Sequence, residues 1–507
     1  MKDKLLKTSN DFLKIKKLKD QGKKIGLCHG VFDILHIGHI NHFLEAKKKC
    51  EILIVSLTKD EFINKGPNRP VFKIENRQKF LSHLSSVDFV YVSNIASALD
   101  AIKNIKPNYY FKGPDYKNLK LDITKKIYEE KKLVKKYGGE IIFTTAQTFS
   151  SSKILNDNFD LFDKPQNQLL KKIKKKFNLE FLLTKLSSLK KLKVHIIGEI
   201  IIDKYIFTNA IGKSGKEPVL MLNELKYEKF LGGSGAIAKN LEGICKSINL
   251  SSTIGENNEQ ISFIKSKLSK KTKTFFVNKK NSPTILKTRF IDHLNSNKIL
   301  GTYKFNDDLV NSSEEKKLIN YYYNSLKKND LIIVSDYGHG MISEKFAKTI
   351  CNSKKFTALN AQINAANLGY HGLQKYKNLD FIIINESELR HELRSRHENI
   401  KNLMTKLAFE KNIKYLTVTS GKNGALLYQK KKKKFYYCPA FATKLVDKIG
   451  SGDTMLAVMS LCLKEGLDEE LSLFLGSLAA AHSVENFANK SFFTYEDLVK
   501  SLQHIMK

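Results

Sequence analysis

Short apolar runs bounded by turn residues alternate along most of the chain with longer stretches whose apolar positions recur every three or four residues. That alternation is the pattern of parallel α/β sheets, whose strands are buried on both faces and read as continuous apolar runs. In the first part KKIGLCHG, EILIVSLT, DFVYVS, NYYFKG and EIIFTT predict strands, each followed by a helical stretch. Over 158–190 the pattern changes to a Lys-rich segment whose Leu and Ile positions fit a charged connecting helix. A second series runs through KVHIIGEIIID, DLIIVSDYG, FTALNA, DFIIINE, KYLTVTSG and GALLYQ to a helical end. The middle of that series, with EPVLMLNELKYEKFLGG and SPTILKTRFIDHLNSNKILGTYKF, reads as β-rich alternation, which predicts a small sheet inserted as a lid. The lysine run Lys430 to Lys434 suits a hairpin tip.

Composition narrows this picture. A chain of 507 residues, at about 150 residues per domain, predicts two to four domains, and 42% hydrophobic residues suffice for large cores. No apolar stretch reaches the roughly 18 residues of a membrane helix, and the first residues carry no apolar core of the signal-peptide kind, so a cytoplasmic protein is expected. The cysteines Cys28, Cys50, Cys245, Cys351, Cys438 and Cys462 lie far apart without a CxxC pair, against a zinc site or a disulfide framework. A formal charge of +36 raises the prospect of a nucleic-acid partner. Arg69, Arg77, Arg289, Arg390, Arg394 and Arg396 are nevertheless the only arginines, and the lysines are spread along the whole chain. A nucleic-acid surface favours the bidentate Arg fork, so solvated lysine faces are the better reading, and these also attract small anionic substrates.

The first chemical centre is HGVFDILHIGH. A strand ending at Cys28 runs into Gly30, Phe32 and Asp33, and then His36, Gly38 and His39 sit where a helix begins. Free N–H groups and the dipole at a helix start favour anions, and imidazoles on that first turn would face the same phosphate. A zinc ion would need a third ligand, for which His29 and His42 offer no motif. The segment resembles the HxGH signature of the nucleotidylyltransferase superfamily, and NKGPNRPVF with Arg77 behind it, YFKGPDY and TFSSSKI follow in that family's order. The resemblance implies a Rossmann-like domain over 1–157 that joins a nucleoside triphosphate to a phosphorylated small molecule and releases pyrophosphate. By the same match His36 and His39 are catalytic, and Gly30, Phe32, His36, His39, Ser150, Ser151 and Ser152 hold the nucleotide, with Lys65 placed beside them. Lys112, Asp115 and Tyr116 in KGPDY match the sugar-phosphate members. A plain helix cap is the other reading of the three serines, and Thr148 stands where the family often has glycine.

The second centre is DKIGSGDTM, followed by a helical run. Small residues there let backbone N–H groups close on a transferred phosphoryl, and an aspartate at the helix start can take a proton from an attacking hydroxyl. A tight strand-to-helix turn is the plain alternative. GEIIIDKY, GKSGKEPV, FLGGSGAIAKN, SPTILKTRF, SDYGHG and NESE occur in the order seen in ribokinase-like (PfkB) sugar kinases, and the resemblance covers about 191–507. It is closest to the kinase half of the bifunctional heptose-phosphate kinase/nucleotidylyltransferases. It implies Asp453 as catalytic base, Gly450, Ser451 and Gly452 as anion hole, Asn385 and Glu388 organising Mg–ATP, and Asp203, Gly232 and Gly233 facing the sugar with Asp453. Lys216 is a further sugar-phosphate candidate. Ala236 stands where the heptose kinases usually carry a sugar-touching Asn, and Asn360, Ala361 and Gln362 stand where they show Asp-Pro-Lys. The order of the two parts is also reversed relative to the heptose enzymes.

The expectation is therefore an α/β protein: a Rossmann-like nucleotidylyltransferase domain, a helical linker over 158–190, and a ribokinase-like domain over 191–507 with a small β lid. The resemblance implies ATP-dependent phosphorylation of a heptose-like sugar or sugar phosphate and nucleotidylyl transfer from ATP or CTP to a sugar 1-phosphate. Mg2+ would be held mainly through nucleotide phosphates, with no direct protein ligands. The product would feed lipopolysaccharide or another surface glycan. A homodimer is the candidate assembly, with no nucleic acid and no membrane as partner. Two alternatives stay open, a nucleotidylyltransferase with a non-catalytic sugar-sensing kinase-like domain and a basic nucleic-acid-binding protein.

Overall fold

The structure is a computed structural model and describes residues 4–63, 69–114, 126–145, 162–294, 296–364 and 367–506. They fall into two compact units, 1–163 with 499–507, and 164–498.

In the first unit six strands, β1 (Leu5–Leu6), β2 (Ile25–Gly30), β3 (Ile52–Thr58), β4 (Phe89–Ser93), β5 (Tyr109–Lys112) and β6 (Glu140–Phe143), form one sheet in the order β1-β4-β3-β2-β5-β6. All pairs are parallel. Apolar clusters around Leu27, Ile54 and Tyr110 and around Cys28, Val55 and Phe111 cover its two faces, which is why these strands read as unbroken apolar runs. Strands follow β2 in one direction toward β3 and in the other toward β5. The carboxyl end of β2 is therefore the topological switch point, where an open α/β sheet leaves a crevice.

In the second unit β7 (Lys193–Gly198), β10 (Ser247–Gly255), β11 (Thr272–Lys279), β14 (Leu331–Asp336), β15 (Phe356–Ala361), β16 (Phe381–Asn385), β17 (Tyr415–Thr419), β18 (Ala425–Gln429) and β19 (Lys434–Cys438) form the main sheet. Its order is β11-β10-β7-β14-β15-β16-β17-β18-β19, parallel up to β17 and antiparallel beyond. The switch point here lies between β7 and β14. The predicted lid is a separate four-stranded sheet of β8 (Ile200–Lys213), β9 (Leu220–Gly233), β12 (Leu286–Asp292) and β13 (Lys298–Lys304), in the order β13-β12-β8-β9. The lysine run falls at the turn between β18 and β19, as its composition predicts.

Strands β10 and β11 are absent from the sequence expectation. β10 reads SINLSSTIG, too rich in hydroxyls to look like a core strand, yet its serines are spent internally. Ser251 Oγ lies 2.7 Å from His195 Nε2, and Ser252 Oγ accepts from the Ile200 N–H at 2.8 Å. A polar group satisfied in this way costs little to bury.

The Lys-rich segment contains two helices, Lys164–Lys176 and Leu179–Leu189. Leu169, Leu170, Ile173, Leu182, Leu186 and Leu189 are buried, and each such side chain stabilises by about 1.5–3 kcal/mol. Lys172 and Lys176 of the first helix pair with Glu470 at 2.6 Å and Asp468 at 2.5 Å, and both helices belong to the second unit. No helix among the described residues is long and apolar enough to cross a membrane.

Candidate active sites

In the first unit β2 ends at Gly30, and helix Ile37–Lys47 starts with His36 as its N-cap in extended conformation, with no side chain capping it. A helix start without a side-chain cap is a place where an anion can be bound by backbone N–H groups. His36 and His39 stack with ring centroids 3.8 Å apart and planes inclined by 21°, and Phe32, at φ +47°, sets its ring edge-on to His39 at 5.1 Å. Asp33 does not face this pair. Its carboxylate accepts from the N–H groups of Val71 and Phe72, both at 2.9 Å.

The surrounding groups are held neutral or already paired. Burial pushes the His29 ring down to about 3, while it contacts Ser56 Oγ at 3.1 Å and Thr58 Oγ1 at 3.4 Å. Burial also lowers His42 to about 4, 2.8 Å from Thr144 Oγ1, and lowers His36. Arg77 is fully buried and donates to the carbonyls of Phe72 (3.0 Å), Val31 (2.6 Å) and Thr58 (3.0 Å) and to Asp60, which makes it a tie beneath the loop. Lys112 is buried with its ammonium 3.1 Å from Glu130 Oε2. Glu130 also accepts from the Tyr110 hydroxyl at 3.0 Å. Lys65, Asp115, Tyr116, Ser150, Ser151 and Ser152 lie outside the described residues, as does Thr148.

In the second unit helix Ser451–Lys464 begins at Gly450, whose φ of +83° and approach to Asn489 leave no room for a side chain: a Cβ would meet Asn489 Oδ1 at 2.2 Å. Ser451 Oγ donates to the Lys448 carbonyl at 3.0 Å, Gly452 has open space in front of it, and Asp453 stands on the first turn. The Tyr337 hydroxyl donates to Asp453 Oδ1 at 2.8 Å. Burial pushes the Asp453 carboxyl up to about 7, the charges of Asp203 and Glu388 add to the rise, and the Tyr337 hydrogen bond and Lys287 oppose it.

Asp203 on β8 pairs with Arg289 on β12 at 2.6 Å. Gly232 in β9 lets that carboxylate in, since a Cβ there would meet Asp203 Oδ2 at 2.3 Å, and Gly233 caps helix Ser234–Glu242. Lys287 is the neighbour of Asp203 in register and is 6% exposed, with its ammonium over the rings of Tyr303 (5.1 Å) and Tyr337 (5.6 Å). Among the described residues it makes no ion pair, and burial lowers its pKa. Asn385 and Glu388 form a reciprocal capping box at the start of helix Glu386–Glu392. Glu388 also accepts from the Ile363 N–H at 3.2 Å, is pushed up to about 7 by burial, and lines a cavity of about 240 Å³ with Ile363, Asn364, Leu368, Asn385 and His391.

The structure thus gathers Asp203 with Gly232 around one carboxylate, and Asp453 at the Gly450 turn, with Asn385 and Glu388 forming a separate cap. Lys216 lies exposed in the turn between β8 and β9. Ala236 is buried, its carbonyl accepting from Asn240, and the Asn360 side chain donates to the Ile383 carbonyl at 2.8 Å. Sequence reasoning assigned no role to Glu199, Lys287, Arg289 or Tyr337, although all lie in quoted motifs. Their signal was polar residues inside a strand, as with Lys287 and Arg289 in β12, or directly at a strand end, as with Glu199 and Tyr337. No cluster of potential metal ligands occurs among the described residues.

A family model described as pfkB family carbohydrate kinase matches residues 191–491, and one described as Cytidylyltransferase-like matches residues 27–157. Curated relatives include proteins named Bifunctional protein HldE. That of Nitratiruptor sp. is 24% identical over 57% of this chain and 60% of its own, and that of Campylobacter jejuni subsp. doylei is 28% identical over 60% and 62%. A third, from Sulfurimonas denitrificans, is 38% identical over 26% of this chain and 28% of its own. The chain thus spans about six tenths of the length of the first two relatives. Phosphofructokinase-2 from Escherichia coli in complex with potassium aligns at a TM-score of 0.50 and 14% identity, covering 62% of this chain and all of its own, and shows the fold of the second unit. A ribokinase from Thermotoga maritima aligns at 0.49 and 18% identity over 62% of this chain and 99% of its own. The chain belongs to the pfkB family of carbohydrate kinases and carries a cytidylyltransferase-like domain ahead of the kinase, the reverse of the order expected of the heptose enzymes.

Proposed function

We propose that this protein is a bifunctional enzyme of nucleotide-sugar synthesis. Residues 191–507 phosphorylate a heptose-like sugar or sugar phosphate with ATP, residues 1–157 transfer a nucleotidyl group from ATP or CTP to a sugar 1-phosphate with release of pyrophosphate, and 158–190 connects them. The observation that carries the reading is Asp453, a carboxylate on the first turn of a helix, held by Tyr337 and poised near neutrality by its surroundings. Such a group can accept the proton of an attacking hydroxyl as the γ-phosphoryl is transferred.

In this reading Gly450, Ser451 and Gly452 receive the transferred phosphoryl, and Asp203, Gly232 and Gly233 meet the sugar. Lys287 supports an acceptor that brings its own negative charge, since a buried ammonium is costly and this one has no ion pair among the described residues. The backbone bonds to Glu388 leave it to orient water around a nucleotide-bound Mg2+ together with Asn385, rather than to ligate the ion. That ion would neutralise phosphate charge. In the first unit the stacked His36 and His39 and the uncapped helix start would hold the triphosphate with Gly30, Phe32, Lys65 and Ser150 to Ser152, and Lys112, Asp115 and Tyr116 the sugar phosphate. We place the enzyme in the cytoplasm, with its product entering a surface glycan, and expect a homodimer.

Full-length enzyme supplied with ATP or CTP and a panel of heptose and hexose phosphates, followed by phosphorus NMR, tests this. ADP and pyrophosphate formed with a nucleotide sugar are expected, and the absence of both overturns the proposal. Ala236 and Asn360 favour a second reading, a sugar sensor without kinase activity, which sugar-dependent ADP release excludes.

A further inference from the structure

Tyr337 follows the last residue of β14 directly and so stands at the switch point between β7 and β14. Its backbone is held from both sides. Its N–H donates to Glu199 Oε2 at 3.0 Å and the His339 N–H to Glu199 Oε1 at 3.1 Å, a buried carboxylate just beyond β7. The Tyr337 carbonyl accepts from Asn367 Nδ2 at 2.8 Å and Asn364 Nδ2 at 3.1 Å. The side chain is 3% exposed, with the Lys287 ammonium 5.6 Å from its ring. A phenol fixed in this way has one direction in which to donate, and its acceptor is Asp453 Oδ1 at 2.8 Å.

We propose that Tyr337 is the positioning residue of the kinase site: its hydroxyl holds Asp453 Oδ1 so that Oδ2 meets the hydroxyl of the acceptor. The inference rests on the reading of Asp453 as the base. As the acceptor oxygen attacks the γ-phosphorus, its O–H bond breaks, its proton passes to Asp453 Oδ2, and the bond from phosphorus to the ADP oxygen breaks. Tyr337 keeps its own proton throughout, because burial pushes the phenol well above its ordinary value. Burial opposes ionisation of the Asp453 carboxyl most; among the described residues Asp203 on β8 and Glu388 on helix Glu386–Glu392 add to that, while Tyr337 and Lys287 on β12 favour it. Removing the Tyr337 donor therefore moves the titration of Asp453 upward.

The test uses full-length protein labelled with [13C]carboxyl aspartate, titrated by NMR, the Asp453 signal being assigned by its loss in Asp453→Asn. Tyr337→Phe is expected to raise the midpoint by about one pH unit. The acid limb of kcat for ADP release should move by the same amount, with KM for ATP changed less than about twofold. Should the Phe variant fail to fold, 3-fluorotyrosine at 337 keeps the shape and strengthens the donor, so the midpoint should fall. Titrations superimposable on the wild type overturn the role of Tyr337 in an enzyme that Asp453→Asn silences. ADP release that survives Asp453→Asn removes the base, and the inference with it.

Discussion

Around His36 and His39 the ionisable groups are kept neutral or tied to one another, whereas around Asp453 charges are retained and set against each other. Burial lowers His29, His36 and His42, and Arg77 and Lys112 are occupied by carbonyls, Asp60 and Glu130. In the second unit Asp203 and Arg289 pair, Lys287 stands beside them with no ion pair among the described residues, and Asp453 and Glu388 are both pushed up to about 7. A site whose proposed task is to hold a polyanion can rely on N–H groups and imidazoles that need no protonation. A site that must take up a proton needs an acid whose pKa lies near the working pH. The contrast follows from the proposed division of labour, and it can be broken at several points.

The largest effect should come from Asp453→Asn, which is expected to lower ADP formation by about 10³-fold or more while leaving pyrophosphate release within twofold, as read in coupled assays of the two products. His36→Ala should show the mirror image, with pyrophosphate release down by about 10²-fold and ADP formation unchanged. Equal losses of both activities in either variant would erase the distinction between the sites. The pH profiles should differ next. Asp453 must be ionised to act, so ADP formation should fall about tenfold per unit below pH 7. Pyrophosphate release should change less over the same range, because burial lowers His36 and holds His29 and His42 down to about 3 and 4.

Lys287→Met sharpens the comparison at the acceptor. It should raise KM for a phosphorylated sugar about tenfold with kcat changed less than about threefold, and an equal loss for a neutral sugar would place the lysine on the transferred phosphoryl instead. The smallest effect on either activity belongs to Arg77→Met. Loss of its bonds to three carbonyls should cost the first unit about 3 kcal/mol, seen as a lower melting transition with unaltered ADP formation.

Much of the fold was legible because strands buried on both faces leave unbroken apolar runs, as in EILIVSLT and DLIIVSDYG. β10 escaped because its hydroxyls find partners on distant segments, at His195 and Ile200. The candidate sites were legible where one motif carries the residues in tandem, as with His36 and His39 or Gly450 to Asp453. Partners drawn from distant segments were not. Tyr337 meets Asp453 across 116 positions, and Arg289 meets Asp203 across 86.

The sequence by itself determined the class of the fold, the two-part organisation and the residues of each motif, because these follow from local periodicity and short spacings. Only the tertiary structure decided which charges remain available for substrate. Arg77, which stands behind the first unit's NKGPNRPVF motif, is spent on carbonyls and Asp60 within the fold, while Lys287, to which the SPTILKTRF motif gave no role, is buried with no ion pair among the described residues. Burial and the partner set a group's charge, and both depend on segments that come together only in the folded chain.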